Sequence, residues 1–141
     1  MCMEIDSDGL EVLDADECRK LLANGRVGRI ALTNRALPLI VPVKFAVLGD
    51  DIVLRAATER MEQSALHGHV VCLQSDGVYA SGSDGWSVIV TGPLGVVDDP
   101  IQIEMARHLE LERWSKRHHG LLAYLNTEMI SGRRFALSDQ R

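Results

Sequence analysis

Two pairs of histidines are the residues in this sequence whose spacing comes closest to that of metal ligands. His67 and His69 flank Gly68, and the alternation of side chains along a strand would place both imidazoles on one face. They fall at a predicted helix-to-strand junction, and no acidic or thiol residue lies at the spacing of a metal site. The same holds for His118 and His119. We therefore predict no metal centre.

Paired carboxylates could act as a general acid and base, and two such pairs occur, at residues 50–51 and 98–99. Both fall in predicted turns, where aspartate is favoured because its side chain hydrogen-bonds the nearby backbone. The stretch 81–85 (Ser-Gly-Ser-Asp-Gly) could wrap an anion with backbone amides, although a plain surface turn is the favoured interpretation. The P-loop, dinucleotide-binding, nucleophile-elbow and zinc-protease motifs are absent from the sequence. No catalytic residue is therefore predicted.

The composition indicates one globular domain spanning residues 1–141. Hydrophobic residues make up 46% of the 141 residues and charged residues 25%, which is ordinary for a soluble protein. No apolar run is long enough to span a bilayer, and the acidic N-terminus has no secretory signal. We expect a cytoplasmic protein without a membrane association, in which residues 1–13 form a flexible N-terminus.

The charge and the cysteines exclude further classes. Residues 1–106 carry 8 basic and 16 acidic side chains (−8) and residues 107–141 carry 7 basic and 4 acidic ones (+3), which sums to the net charge of −5. The basic cluster at 113–119 is too small for the broad face that nucleic acid requires, so no nucleic-acid partner is expected. The three cysteines form no C-x-x-C pair, and Cys72 in an apolar run is interpreted as a buried thiol.

The elements in the first half of the chain alternate between short helices and strands. Asp14 with Glu17 resembles a capping box and begins a helix that ends at Gly25. Strands are predicted at 26–33 and 37–48, the second interrupted by Pro38 and Pro42, which favour an edge strand or a bulge. A hairpin turn at 49–51 leads to a return strand at 52–56, and Thr58 caps a second helix that reaches His67.

The second half adds more strands than helices. Strands are predicted at 70–74 and 86–92, with a loop at 76–85 between them. An amphipathic helix is predicted at 101–114, with Ile101, Met105 and Leu109 on its apolar face. Two last strands, 127–130 and 133–137, flank Ser131-Gly132. The total of six or seven strands and three helices predicts a small, mostly antiparallel barrel with helices at its ends, not a doubly wound sheet.

The order of these segments resembles that of the FMN-binding split-barrel superfamily, in the branch related to pyridoxamine 5′-phosphate oxidase. The resemblance covers residues 14–97 and 126–137. It rests on five stretches: GRVGRIA (25–31), PLIVPVKF (38–45), GDDIVLR (49–55), GWSVIVTG (85–92) and ISGRRF (130–135).

The resemblance implies a mainly β fold, a six-stranded antiparallel split barrel with flanking helices. It implies a homodimer with one FMN in each of two grooves at the subunit interface, and an FMN-dependent oxidoreductase that acts on a small acceptor. A deazaflavin-dependent reductase is an alternative within the same fold. A non-catalytic module that holds flavin or heme is another, in which His67, His69 or His108 would be candidate heme ligands.

The resemblance also implies a phosphate site after the third strand of the family pattern. Arg55 matches the first residue of the family's Arg-Thr pair, whereas Ala56 lacks the hydroxyl of the second. The expected basic residue at the start of the next helix is replaced by Met61. Arg60, helped by Thr58 and the helix N-terminus, is the candidate that could reach the same phosphate.

The flavin ring is expected against the backbone of Val43, Lys44 and Phe45. The Lys44 charge either stabilises a reduced flavin or points to solvent. Trp86 and Ser87 of the partner subunit would close the groove, although Trp86 is equally well interpreted as a core or dimer-contact residue. Two further arginines, Arg133 and Arg134, are candidates for a substrate phosphate, with outward-facing barrel charges as the favoured interpretation.

Overall fold

The computed structural model describes residues 3–79, 84–109, 111 and 120–136. Its helices are α1 (Ala15–Asn24), α2 (Glu59–His67) and α3 (Pro100–Arg107). Its strands are β1 (Glu4–Ile5), β2 (Glu11–Leu13), β3 (Val27–Asn34), β4 (Leu37–Leu48), β5 (Asp51–Arg55), β6 (Val70–Val78), β7 (Asp84–Pro93), β8 (Gly95–Val96), β9 (Leu122–Asn126) and β10 (Ile130–Ala136). Within the described residues, no helix is long and apolar enough to cross a membrane.

The strands form one sheet in the order β1-β2-β10-β7-β6-β3-β4-β5-β9-β8, and every pairing is antiparallel. This confirms the predicted class, a mainly β antiparallel split barrel with flanking helices. The sheet has ten strands instead of the predicted six or seven, because three short ones of two or three residues are added. The alternating inward side chains fill one main core, which includes Leu22, Ile30, Leu54, Val88 and Leu125.

The predicted helix caps are confirmed. Asp14 accepts a hydrogen bond from the Glu17 amide at the start of α1, and Thr58 accepts one from the Met61 amide at the start of α2. Gly68 ends α2 in the left-handed conformation with φ of 65°. These caps set where each helix begins, and α2 begins beside the β3–β4 hairpin.

The prediction of an edge strand at β4 is right for one half of that strand only. Residues 37–44 pair with β3, whereas residues 45–48 pair with β5. Both prolines lie in the first half, where the structure pairs the strand on one side only within the described residues. The two-residue turn before β4 has positive φ at Arg35 (49°) and Ala36 (66°), as a tight hairpin requires.

The end of the chain differs most from the prediction. The prediction of two strands that flank Ser131-Gly132 is wrong, because Gly132 lies inside β10. The strand that precedes β10 is β9 at Leu122–Asn126. A Cβ at Gly132 would lie 2.6 Å from the Cys18 sulfur, so this glycine allows α1 to pack on the strand. Cys18 is thus the buried thiol, and burial raises its pKa, whereas Cys72 is half-buried with its sulfur 3.2 Å from the Thr91 hydroxyl.

The predictions for the third helix and for the loop before β7 also differ from the structure. Helix α3 ends at Arg107, and Ile101 and Met105, predicted to face the core, are 70% and 47% exposed. Ala106 is buried there instead. The loop predicted at 76–85 is shorter, because β6 continues to Val78 and β7 begins at Asp84, and residues 80–83 lie outside the described residues.

The segment predicted to be a flexible N-terminus forms β1 and β2, and two arginines of β10 tie it to the sheet. Arg133 donates to the Asp6 carboxylate at 2.7 Å. Arg134 donates to Glu11 and, at 2.8 Å, to Glu17. These ion pairs are consistent with barrel charges rather than a substrate pocket.

We expect the substitution Arg134→Met to lower the free energy of unfolding by about 1–2 kcal/mol, because it leaves Glu11 and Glu17 without their charged partner. Arg107→Met is the matched control, since Arg107 forms an exposed ion pair with Glu104 and its loss should cost less than about 0.5 kcal/mol. Urea unfolding of both variants measures the difference. Equal losses in the two would contradict the assigned role.

The pH dependence of stability should contain a contribution from Asp6. Hydrogen bonds from the Leu10 amide and Arg133 lower the pKa of this carboxyl below its ordinary value of 3.8. The stabilisation is therefore fully present above the unfolded pKa and is lost as the pH falls through the lower folded pKa. In urea titrations we expect Asp6→Asn to have a lower free energy of unfolding than the wild type at pH 6, and this difference should become smaller below about pH 4. A difference that stays constant down to pH 2 would refute this.

Candidate functional site

The first half of β4 has an unusual free edge. Phe45, which continues the β3 ladder, donates its amide to the Arg26 carbonyl at 3.0 Å. Because partners alternate along an antiparallel strand, the odd-numbered residues bond to β3. Pro38, Ile40 and Pro42 therefore direct their backbone groups to the opposite edge, which no described strand covers.

This edge offers one amide among several carbonyls. Proline has no backbone N–H, so Ile40 holds the single amide donor that residues 38–42 direct to this edge. The carbonyls of Pro38, Ile40 and Pro42 face the same way. A ligand that combines hydrogen-bond acceptors and donors along one planar edge could pair with this pattern.

An apolar cleft of about 420 Å³ lies against β4 and the start of α2. We call it the edge cleft. The Ile40 side chain in its wall is 72% exposed. Its walls are formed by Leu32, Leu39, Ile40, Val41, Thr58, Glu59 and Arg60.

The start of α2 supplies the polar end of the edge cleft. The Thr58 hydroxyl oxygen accepts from the Met61 amide at 3.2 Å, which leaves its own proton to donate. Arg60 is exposed and forms no ion pair with any residue that the structure describes. The Glu59 carboxylate lies beside it and would repel an anion. Arg60 is therefore the side chain in this cleft that could attract one.

A second, more polar cleft of about 300 Å³ adjoins the first, and we call it the polar cleft. It shares Leu32, Glu59 and Arg60 with the edge cleft, so the two lie side by side at these residues. Its remaining walls are Thr33, Asn34, Gln63, Ser64 and His69. Together the clefts form a groove with one apolar end and one hydrogen-bonding end.

The structure does not place Val43, Lys44 and Phe45 in this groove. Val43 and Phe45 are buried in the core, and the Phe45 amide is already bonded to Arg26. Lys44 and Phe45 line a different cleft. The two clefts are separate because β4 changes its partner from β3 to β5 between residues 44 and 45.

The other residues matched to the family's phosphate site are also dispersed. Arg55 donates to the Gly120 carbonyl at 3.1 Å and does not line the edge cleft. Ala56 is 2% exposed and Met61 is fully buried. Because neither side chain reaches solvent, these two positions do not fit a bound phosphate.

Trp86 and Ser87 point to opposite faces of β7. The Trp86 side chain is in the core, and a Cβ at Gly77 would lie 2.7 Å from its indole nitrogen. Ser87 lies on the outer face and accepts a hydrogen bond from Gln74 at 3.2 Å. Of the alternatives for Trp86, the structure therefore places it as a core residue.

The histidines do not converge on a metal or heme site in the part of the chain that is described. The rings of His67 and His69 are 5.5 Å apart, while His108 follows α3. No group of three metal-ligating side chains occurs among the described residues. The basic cluster at 113–119 and the turn at 81–83 lie outside them.

Leu39, Ile40 and Val41 line the edge cleft but were not predicted from the sequence as site residues. A signal for them was present, because prolines two residues either side of Ile40 remove the neighbouring amides of one edge. That signal predicts an edge, but it does not say that a helix start lies beside it. Only the fold brings residues 39–41 next to Arg60.

Comparison with known proteins finds a matching family and a similar protein. The model of the family described as pyridoxamine 5′-phosphate oxidase matches residues 14–134. An uncharacterised protein of Mycobacterium tuberculosis is 32% identical over 134 residues, covering 92% of this chain and 87% of its own length.

Solved structures share the fold. The FAD-binding protein of Mycobacterium smegmatis is 28% identical with a TM-score of 0.73, and the match covers 89% of this chain and 97% of that one. A FAD-binding protein from Mesorhizobium loti has the same TM-score, 0.73, at 23% identity, with 90% and 99% of the two chains covered. The second likeness is one of fold alone.

Proposed function

Since this chain belongs to the pyridoxamine 5′-phosphate oxidase family, we propose that it binds a flavin in the groove formed by the edge cleft and the polar cleft. The observation that carries the proposal is the free edge of β4, with the Ile40 amide between two prolines beside an apolar cleft. The proposal moves the ring from residues 43–45, where the resemblance implied it, to residues 38–42.

The free edge suits the pyrimidine end of a flavin ring. That end carries two carbonyl oxygens and one N–H: the N–H can donate to one of the carbonyls of Pro38, Ile40 and Pro42, and one of the two oxygens can accept from the Ile40 amide. Leu39 and Val41 line the cleft and would contact the apolar part of the ring. When bound, a flavin supplies hydride or electron transfer, so the protein needs only to orient it and its substrate.

The polar end of the groove favours FAD over FMN. Ala56 and Met61 are buried and cannot hold the single phosphate as the family pattern implies, so Arg60 and the Thr58 hydroxyl remain to bind phosphoryl oxygens. The polar cleft continues beyond Arg60 with side chains that suit a longer polar chain. The relative from Mycobacterium smegmatis, whose name states FAD binding, supports the same choice.

We also propose that the protein is a homodimer. Ala31, Ile40, Cys72 and Thr91 form one row across four strands on the outer face of the sheet. Exposed Ile89 and Val70 extend this surface, and contact with a second copy would remove these apolar side chains from water. Light scattering should give twice the 15.5 kDa mass of the chain, and a monomer would refute the dimer.

The reaction that we propose is the reduction or oxidation of a small-molecule acceptor by the bound flavin. Ile40 and Arg60 are exposed at the rim of the groove, where a small molecule could approach the flavin. The described residues present no pair of acidic groups for hydrolytic chemistry at the groove, where Glu59 is the single carboxylate in the walls. A flavin cofactor fits a site of this composition.

The substitution Arg60→Gln tests the proposal. Loss of a charge-assisted hydrogen bond should weaken FAD binding about tenfold to a hundredfold in a fluorescence titration. Arg107→Gln is the control, since Arg107 lies on α3 and lines neither cleft. FAD should bind the wild type more tightly than FMN. Equal FAD affinity in wild type and Arg60→Gln would contradict the assigned groove.

A further inference from the structure

The polar cleft has the size and the side chains of a nucleobase site, and we propose that it recognises adenine. This inference rests on the proposed flavin groove, of which the polar cleft is one end. The volume of about 300 Å³ lies at the lower limit of small-molecule sites, which suits a base with part of its ribose. The adenylate half of a dinucleotide would therefore bind here, beside the flavin half in the edge cleft.

The side chain that would read the base is Gln63 on α2. It lines the polar cleft, and it follows Arg60 by three residues, so the two side chains share one face of the helix. An amide group holds a donor and an acceptor in one plane, and it pairs with N6 and N7 of adenine, which present a donor and an acceptor. A phosphoryl group at Arg60 would leave the base about one helical turn further along α2, at Gln63. Asn34, the last residue of β3, adds a second amide to the walls.

Ser64 is an independent sign that the polar cleft takes a polar occupant. It lines the cleft and yet is only 3% exposed. Its hydroxyl has no hydrogen-bond partner among the residues that the structure describes. Because buried hydroxyl groups in folded proteins normally have a partner, a ligand nitrogen or oxygen in the cleft would complete this one.

The remaining walls suit a nucleoside better than a chain of phosphates. Leu32, which is 3% exposed, supplies an apolar surface, and the His69 ring supplies a flat one on which a base could stack. The Glu59 carboxylate would repel a phosphate, but it can accept hydrogen bonds from ribose hydroxyls, as acidic residues do in dinucleotide sites. The uncharged part of the ligand therefore belongs in the polar cleft.

Calorimetric titration with ADP and IDP tests the proposal. The two nucleotides share the ribose and the diphosphate, but the base of IDP presents two acceptors where adenine presents a donor and an acceptor. We expect the wild type to bind ADP about tenfold more tightly than IDP, and Gln63→Leu to lose this preference. Gln63→Leu should also weaken FAD about tenfold and leave FMN, which has no adenine, unchanged. Gln102→Leu is the matched control, since Gln102 lies on α3 and lines neither cleft.

Four results would overturn the adenine site. These are no binding of ADP, equal affinities for ADP and IDP, a Gln63→Leu variant that keeps the preference, and ADP binding that is undiminished when FAD is saturating. A wild type that binds ADP selectively but binds no flavin would refute the proposed function and support the adenine site. Flavin binding that Gln63→Leu leaves unchanged would refute the adenine site alone. Gln63 is exposed, so its substitution should not impair folding, and a urea unfolding curve verifies that.

Discussion

The substitution Met61→Lys is expected to lower the free energy of unfolding by about 3–5 kcal/mol. Met61 is fully buried in the main core, where it belongs to the first turn of α2. An ammonium group at this position would lose its hydration without a charged partner within the core cluster. Met61→Leu keeps the volume and polarity, so it should cost less than about 1.5 kcal/mol in the same urea titration.

This comparison tests whether the position can act as a phosphate ligand, as the family pattern suggests. If the lysine were directed to the groove, Met61→Lys would be as stable as Met61→Leu and would bind FAD more tightly. That outcome would contradict the burial of this side chain and restore residue 61 to the binding site. The predicted outcome is an unstable variant with no gain in flavin affinity.

The substitution Ile40→Pro is expected to weaken FAD binding about tenfold, because it removes the one amide that residues 38–42 direct to the free edge. The strand should tolerate this change, since Pro38 and Pro42 occupy the same edge two residues away on either side. Flavin fluorescence titration measures the affinity, and urea unfolding checks the fold.

Ile40→Ala is the matched control for that substitution. It trims the side chain but keeps the amide, so it separates lost apolar contact from the lost hydrogen bond. We expect the alanine variant to bind FAD more tightly than the proline variant. If the two bind equally, the backbone edge does not hold the flavin ring.

Local signals in the sequence predicted the helix starts and the hairpins well. Asp14 and Thr58 cap their helices through bonds to residues three positions on, so a few neighbouring residues decide the outcome. The turn at Gly49, with φ of 63°, likewise depends on one residue that tolerates the left-handed region. Such features need no knowledge of the rest of the chain.

Features that depend on distant contacts could not be predicted in this way. Gly132 looked like a turn residue, but it serves the close approach of Cys18 from α1. Ile101 and Met105 have the spacing of a buried face, yet the short α3 buries Ala106. In both cases tertiary packing, rather than local preference, decides the result.

The candidate site also combines a part set by local sequence with a part set by distant contacts. Thr58 and Arg60 lie together in one cleft as a helix start predicts, whereas Lys44 and Phe45 lie in another. The cause is the exchange of partners along β4, which is a matter of strand pairing across the sheet. No pattern within residues 37–48 specifies that the exchange occurs after Lys44.

The central claim, a flavin held between the free edge of β4 and the start of α2, is tested most directly by the visible absorption spectrum of the purified protein after incubation with FAD and desalting. We predict that the absorption bands of oxidised flavin elute with the protein, and that Arg60→Gln retains less of them. A colourless wild-type protein, with all the FAD eluting separately, would contradict the account.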